Sequence, residues 1–228
     1  MRATVLLLAA GSGDRLLAGR PKGLVQLRGV PLVRLAAEAA CSADGVDELV
    51  VTAPDGFVRE VQDALGGLPK PFRVVEGGAT RQASAAAALA HADSADAIVV
   101  HDAARALCPA EYFDRCLHEL VRASAVCVAT PVSDTIKDVR DAIVSTTVER
   151  STLWAAQTPQ AFRAEVYRRA HAAAKRDGVL ATDDAALVER LGVRVRVIPG
   201  DPTNIKITTA ADLRIAEALL GGRSDAHG

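Results

Sequence analysis

Apolar residues along the chain fall into short runs that are nearly continuous in Val, Leu and Ile, separated by longer stretches with helical spacing. The short runs predict strands over Thr4–Ala9, Glu48–Thr52, Phe72–Glu76, Ala97–Val100, Val126–Thr130 and Val193–Ile198. Strands without polar alternation are buried on both faces, as in a parallel sheet covered by helices. Helices are expected over Pro31–Ala43, Pro54–Leu65, Ser84–His91, Pro109–Ala123 and Ala164–Arg176, several opening on proline, a common residue in the first turn. Strand and helix alternate, which implies an α/β fold with right-handed crossovers. One stretch breaks the rhythm. Thr135–Val139 and Ile143–Val148 flank a polar Arg140-Asp141 tip, and segment 134–149 reads as a projecting β-hairpin. A further helix opens at Thr182-Asp183-Asp184, where a hydroxyl or carboxylate caps the first turn. There is no repeat and no linker, so residues 1–228 read as one domain, with a small polar tail, 221–228, expected to be disordered.

Composition narrows the function classes. The chain has 228 residues, a formal net charge of −1 and 24% charged residues. A nucleic-acid binder needs a surplus of Lys and Arg, so nucleic acid is not an expected partner. No apolar run approaches the roughly 18 residues that cross a bilayer, and the N-terminal run Val5–Ala10 is shorter than a signal peptide requires. The expected location is the cytoplasm, with no membrane partner. Cys41, Cys108, Cys116 and Cys127 form no C-x-x-C pair and read as small core residues. The five histidines lack ligand spacing, and His101, directly after an apolar run, reads as packed and hydrogen-bonded.

Ligands of open parallel sheets bind beyond the carboxyl ends of the strands, so the residues there carry the chemistry. After the first strand stands Ala9-Ala10-Gly11-Ser12-Gly13-Asp14-Arg15, followed by Pro21-Lys22. Gly11 and Gly13 let backbone N–H groups approach a phosphate, and Arg15 and Lys22 add two cations. After the third strand, Gly77-Gly78 permits close approach of a flat ligand, and Ser84 serves as a helix cap or as a contact to a base. After the fourth comes His101-Asp102-Ala103-Ala104-Arg105, in which Asp102 suits a Mg²⁺ ligand beside a phosphate anchor, Arg105; the alternative is a local Asp–Arg ion pair. Thr135, Lys137 and Arg150 decorate the hairpin and its return, Thr158-Pro159-Gln160 follows Trp154, and Lys206 precedes the last helix within reach of a phosphate. No Ser-His-Asp triad, redox dithiol or catalytic carboxylate pair is present in this inventory. It is that of phosphoryl-type transfer, where the protein positions reactants and neutralises charge.

Taken in order, Ala-Ala-Gly-x-Gly-x-Arg, Pro21-Lys22, Gly77-Gly78-x-x-Arg81-x-x-Ser84, His101-Asp102-Ala103-Ala104-Arg105, Pro131-Val132-x-Asp134-Thr135-x-Lys137, Trp154-x-x-Gln157-Thr158-Pro159-Gln160, Thr182-Asp183 and Asn204-Ile205-Lys206 resemble the 2-C-methyl-D-erythritol 4-phosphate cytidylyltransferases from residue 3 to about 220. The resemblance implies a mostly parallel, Rossmann-like nucleotidyltransferase sheet with helices on both faces and a β-arm at 134–149 that clasps a second subunit. It implies CTP and methylerythritol phosphate as substrates, with Mg²⁺ or another divalent cation. It carries Arg15 and Lys22 to the triphosphate and the α-phosphorus. It places Ala9, Ala10, Gly11, Gly13, Gly77, Gly78, Ser84 and Ala103 at the nucleotide, with Asp102, Arg105, Thr135, Arg150, Thr158 and Lys206 around the second substrate and the metal. Asp102 and Lys206 join Arg15 and Lys22 as catalytic candidates.

The chain departs from that pattern at Gly23-Leu24, at Ala79, where an acidic residue is frequent, and at Ala106-Leu107. Two other readings compete. A cytidylyltransferase for another polyol phosphate, such as ribitol 5-phosphate, would share most of these residues. A non-catalytic dinucleotide-binding module would need an acidic residue after the second strand, where Thr52-Ala53-Pro54 stands.

Overall fold

The computed structural model describes residues 1–13 and 19–225. Among these, seven strands make one sheet: β1 (Ala3–Leu8), β4 (Glu48–Ala53), β5 (Phe72–Glu76), β6 (Ala97–Asp102), β7 (Ala125–Pro131), β10 (Trp154–Arg163) and β11 (Arg196–Pro199). Their spatial order is β11-β7-β10-β6-β1-β4-β5. All neighbours run parallel except β10, which is antiparallel to both β6 and β7. A short hairpin, β2 (Gln26–Leu27) and β3 (Val30–Pro31), stands outside the sheet.

Side chains alternate across each strand, and both sides are apolar, so two cores form. Val5, Leu7, Val51 and Val99 pack under α1 (Leu32–Ser42), α2 (Val58–Ala64) and α4 (Glu111–Glu119). Leu6, Leu8, Val50 and Ile98 pack under α3 (Arg81–Leu89), α5 (Ala164–Asp177) and α6 (Asp184–Glu189). That is the period-two burial expected of a doubly covered sheet. A third cluster joins Val25, Leu27, Leu32, Ala106, Leu107 and Ile207 to Ala216 of α7 (Ala210–Asp225). The departure Ala106-Leu107 is therefore core: it seats the last helix. That helix continues to Asp225, into the segment read from composition as a tail.

Two element readings change, and one is narrowed to a single residue. β10 was read only as a motif, because polar Gln157, Thr158 and Gln160 and Pro159 interrupt its apolar run. These polar groups are buried in the strand and satisfied from neighbouring loops: Gln157 Nε2 donates to the Asp201 carbonyl at 3.0 Å, and Gln160 Nε2 to Asp183 at 2.9 Å. Helix α3 starts at Arg81, not Ser84, because the Thr80 hydroxyl accepts the Ala83 N–H at 3.0 Å and is the cap. The cap of α6 is Asp183, which accepts the Ala186 N–H at 2.9 Å.

The expected hairpin is present as β8 (Ile136–Arg140) and β9 (Ile143–Val148), a two-stranded sheet separate from the main one. Its tip is Asp141-Ala142, with φ of 51° and 63°, rather than Arg140-Asp141. Two successive left-handed residues make the tight turn whose twist matches the strands.

Candidate active site

Strand order reverses direction beside β1. The chain builds outward through β4 and β5, then returns to lay β6 on the other side of β1. This leaves a crevice at the carboxyl ends of β1 and β6, where Leu8 and Asp102 stand in register. The Ala103 N–H donates to the Leu8 carbonyl at 3.1 Å and fixes the two ends together. A cleft of 590 Å³ opens there.

One wall is the loop after β1. The Ala9 N–H donates to the Thr52 hydroxyl at 3.1 Å, and the Lys22 N–H closes the loop on the Gly11 carbonyl at 3.2 Å. Gly13 has φ +83°, and a Cβ there would lie 3.0 Å from the Lys22 nitrogen, so the sharp return needs glycine. Nothing lies within 4 Å of where a Gly11 Cβ would stand. Gly23 packs on Ala9, where a Cβ would come to 3.1 Å from the Ala9 Cβ. That departure from the family pattern is thus a loop contact. Arg15 lies outside the described residues.

The second wall is the turn before α3. Here the structure adds a reason for the glycines. A Cβ on Gly77 would sit 2.3 Å from the Ala10 Cβ, and one on Gly78 would sit 2.4 Å from the Ala83 Cβ. Close packing of protein on protein already requires both residues. Ser84 is buried and serves the same turn: its hydroxyl accepts the Gly78 N–H at 3.1 Å and lies 3.0 Å from the Thr80 carbonyl. It braces the turn that forms this wall rather than capping the helix.

The floor holds the charge. Asp102 is buried, with Oδ1 3.0 Å from Arg81 Nε and Oδ2 2.6 Å from Lys206 Nζ. Burial alone would raise this carboxyl, but the Arg81 guanidinium and the Lys206 ammonium outweigh it and hold it well below the usual carboxylate range. Lys206 is brought in by the Ile207 N–H, which donates to the Ala104 carbonyl at 2.8 Å, and by Asp212, which accepts the Thr208 and Thr209 N–H groups at 2.8 Å each.

Beneath the floor a hydrogen-bonded relay fixes the strand end. The Asp102 N–H donates to the Thr158 hydroxyl at 3.1 Å, which lies 3.0 Å from His101 Nδ1. His101 Nε2 is 3.3 Å from the Arg105 carbonyl. With the hydroxyl donating to Nδ1, the ring is neutral and donates through Nε2. Arg105 does not pair with Asp102. Its guanidinium donates to the carbonyls of Asn204 at 2.6 Å and Ala156 at 3.3 Å, tying β6 to β10 and to the Lys206 loop.

The structure thus gathers Ala9, Ala10, Gly11, Gly13, Lys22, Gly78, Ser84, Asp102, Ala103 and Lys206 around one cleft. Gly77 stands behind the wall, and Thr158 and Arg105 support the floor. Thr135 and Arg150 are exposed on the arm and are not among the residues lining the cleft. Arg81, in sequence only one position of a motif, lines the cleft and is the less exposed of the two cations on Asp102. Its partners lie 21 and 103 residues away, at separations that leave no periodic trace.

Burial pushes the His101 imidazole down from 6.5 to about 4, despite the attraction of Asp102. Between those values the unfolded chain binds a proton that the folded chain does not, so stability falls as pH drops from 6.5 towards 4, by up to about 3 kcal/mol. Denaturant melts across that range, with an NMR titration of the imidazole, check this: the His101 signals stay constant above about pH 5. A midpoint near the ordinary value would contradict the relay.

A family model described as 2-C-methyl-D-erythritol 4-phosphate cytidylyltransferase matches residues 3–222. Curated relatives of that name from a Synechococcus strain and from Rhodococcus jostii are 43% and 49% identical. They align over 96% and 94% of this chain and over 98% and 93% of their own lengths. The crystal structure of the Thermus thermophilus protein of that name is similar at a TM-score of 0.80 and 35% identity, covering 96% of this chain and 98% of that one. The 4-diphosphocytidyl-2C-methyl-D-erythritol synthase of Anaerococcus prevotii is similar at a TM-score of 0.86 and 27% identity, with the same coverage. The strand-end residues quoted from the sequence fall within the matched span, and the chain belongs to the 2-C-methyl-D-erythritol 4-phosphate cytidylyltransferase family.

Proposed function

We propose that this protein transfers the cytidylyl group of CTP to 2-C-methyl-D-erythritol 4-phosphate, releasing pyrophosphate and 4-diphosphocytidyl-2-C-methyl-D-erythritol, in the non-mevalonate route to isoprenoids. The observation that carries the reading is the floor of the cleft: a buried carboxylate between two cations, facing a glycine loop that ends on Lys22. A phosphate oxygen of the acceptor attacks the α-phosphorus of CTP. The new P–O bond forms as the bond to the bridging oxygen breaks, and the electron pair leaves with pyrophosphate. The chain positions the two anions and meets the developing charge with Lys22 and Lys206.

The donor set fits a divalent cation held chiefly by phosphate oxygens. Asp102 lines the cleft, and among the described residues no cluster of three His, Cys, Asp or Glu groups forms a cage of its own. Such sparing protein ligation is usual for Mg²⁺ beside a triphosphate. Asp102 would hold it, and bound there Mg²⁺ supplies charge neutralisation on the phosphates. Lys206 vacates Asp102 Oδ2 as the anions arrive.

The second substrate and the subunit arrangement belong to the same proposal. On the arm, a two-stranded sheet too small to be stable unaided, the cross-strand pair Val139 and Val144 is exposed at 52% and 54% as an apolar strip, with Ile143 at 72% on the opposite face. A homodimer in which the arm grips the second copy covers that strip and carries Thr135 and Arg150 towards the partner's cleft. The enzyme acts in the cytoplasm on small charged substrates, with no part for nucleic acid; no helix among the described residues is long and apolar enough to cross a membrane. Pyrophosphate release from CTP with methylerythritol 4-phosphate, against ribitol 5-phosphate and against CTP alone, tests the substrate: release only with the second polyol would give the rival reading its place. For the dimer, hybrids of Arg150→Ala with Lys22→Ala subunits are expected to regain activity that neither parent shows. A monomer in sedimentation, or verified hybrids without activity, would end the shared-site idea.

A further inference from the structure

Behind the floor of the cleft sits a carboxylate that the reaction above does not use. Asp184 is 1% exposed and is the first residue of α6. Its Oδ2 accepts Arg81 Nη1 at 2.5 Å, and its Oδ1 accepts the Tyr167 hydroxyl at 2.5 Å. Tyr167 is fully buried and stacked on Phe162, with ring centroids 4.8 Å apart. A carboxylate at this depth is costly unless fully partnered, and apolar residues of the same volume would build the core at least as well. Stability alone therefore gives a poor account of it.

The geometry of Arg81 gives a better one. A guanidinium beside a single carboxylate favours the fork, two parallel bonds to both oxygens. Here the guanidinium is divided: Nη1 goes to Asp184 and Nε to Asp102 Oδ1 at 3.0 Å. Asp102 Oδ2 is left to Lys206, a side chain 44% exposed and able to turn towards an incoming anion. One oxygen of Asp102 is thus held by a fixed cation and the other by an exchangeable one.

We propose that Asp184 is a positioning residue for the transfer: by holding Arg81 Nη1 it sets the angle of the guanidinium so that Nε, and not Nη2 on the same edge, reaches Asp102, which keeps Oδ2 available to the cleft. The inference rests on the cytidylyl-transfer reading for its kinetic consequence, but not for its geometric one. In Asp184→Asn the attraction for Nη1 weakens, and Arg81 turns its fork onto Asp102, displacing Lys206. Tyr167 steadies the same carboxylate from the far side.

The test combines a crystal structure of Asp184→Asn with steady-state kinetics. Two Arg81–Asp102 bonds are expected, with kcat lowered about tenfold or more, as for other residues that support a reacting group, and the KM for CTP within about threefold of wild type. In an Asp102→Asn background, Asp184→Asn should cost nothing further in single-turnover rate, because its route to the cleft is gone. A purely structural role predicts a lower Tm with Arg81 unmoved and kcat per folded molecule intact, which would overturn the proposal. So would equal losses in both backgrounds. Tyr167→Phe keeps the ring stack and removes one hydrogen bond; it should lower kcat in the same direction by a smaller factor, with Tm lowered by several degrees because Asp184 Oδ1 loses its partner. If Asp184→Asn does not fold, an unchanged kcat in Tyr167→Phe decides against the idea. If wild type transfers no cytidylyl group, the substrate assignment falls, and the position of Arg81 in the Asp184→Asn crystal still decides the positioning claim.

Discussion

Replacing Lys22 by alanine is expected to slow single-turnover cytidylyl transfer by about a hundredfold or more while leaving the fold intact, since one preorganised cation at a developing phosphoryl charge contributes on the order of 3 kcal/mol. The fold survives because main-chain groups hold the turn that carries Lys22. The Lys22 N–H reaches the Gly11 carbonyl at 3.2 Å, Leu24 N–H reaches Pro21 at 2.9 Å, and Val25 N–H reaches Lys22 at 3.1 Å. Alanine keeps all three bonds. The loss should fall on the chemical step with saturating CTP, and Tm should stay near wild type. A near-normal rate would remove Lys22 from the mechanism.

Asp102→Asn should be the variant that loses both activity and stability. Asparagine keeps the shape but leaves two cations facing a neutral group. Removing one partner from a buried ionic cluster costs 3–5 kcal/mol in general; here Arg81 retains Asp184, and Lys206 can turn into water, so about 2 kcal/mol is expected. The pH dependence has a definite sign. The Asp102 carboxyl is depressed in the folded state, so its contribution is present above the ordinary carboxylate range and is lost as pH falls through the folded value, far into acid. The deficit of Asp102→Asn relative to wild type should therefore be flat above about pH 6.5 and shrink only in strong acid. Denaturant melts at several pH values measure it. A deficit near zero at neutral pH would mean that the cluster holds no net stabilisation.

Much of this was legible in the chain because it is local. Runs such as Val5–Leu8 and Ile98–Val100 are apolar on both faces, and burial on both faces is what a parallel strand under two helical layers shows. The loops after β1 and β6 announce themselves through glycine spacing and through charge beside small residues. β10 was hidden because its polar centre, Gln157 to Gln160, is satisfied by Asp201, Asn204 and Asp183, partners that no window of sequence contains. Arg81 and Asp184 were hidden for the same reason: each reads as an ordinary polar residue of a first helical turn until folding brings them to 2.5 Å. The glycines at 77 and 78 have a further ground that no local pattern shows, since the side chains of alanines 10 and 83 press on them across the fold. Arg15 lies outside the described residues, and its assignment continues to rest on the family pattern.

The central claim is that CTP lies in the cleft between the ends of β1 and β6. A crystal structure of the protein with CTP and Mg²⁺ measures it directly. The account predicts the triphosphate against the Gly11–Gly13 loop and Lys22, the base beside Gly78, and Lys206 drawn off Asp102. CTP bound elsewhere, or bound there with Lys206 still paired to Asp102 and Lys22 turned away from the phosphates, would contradict it.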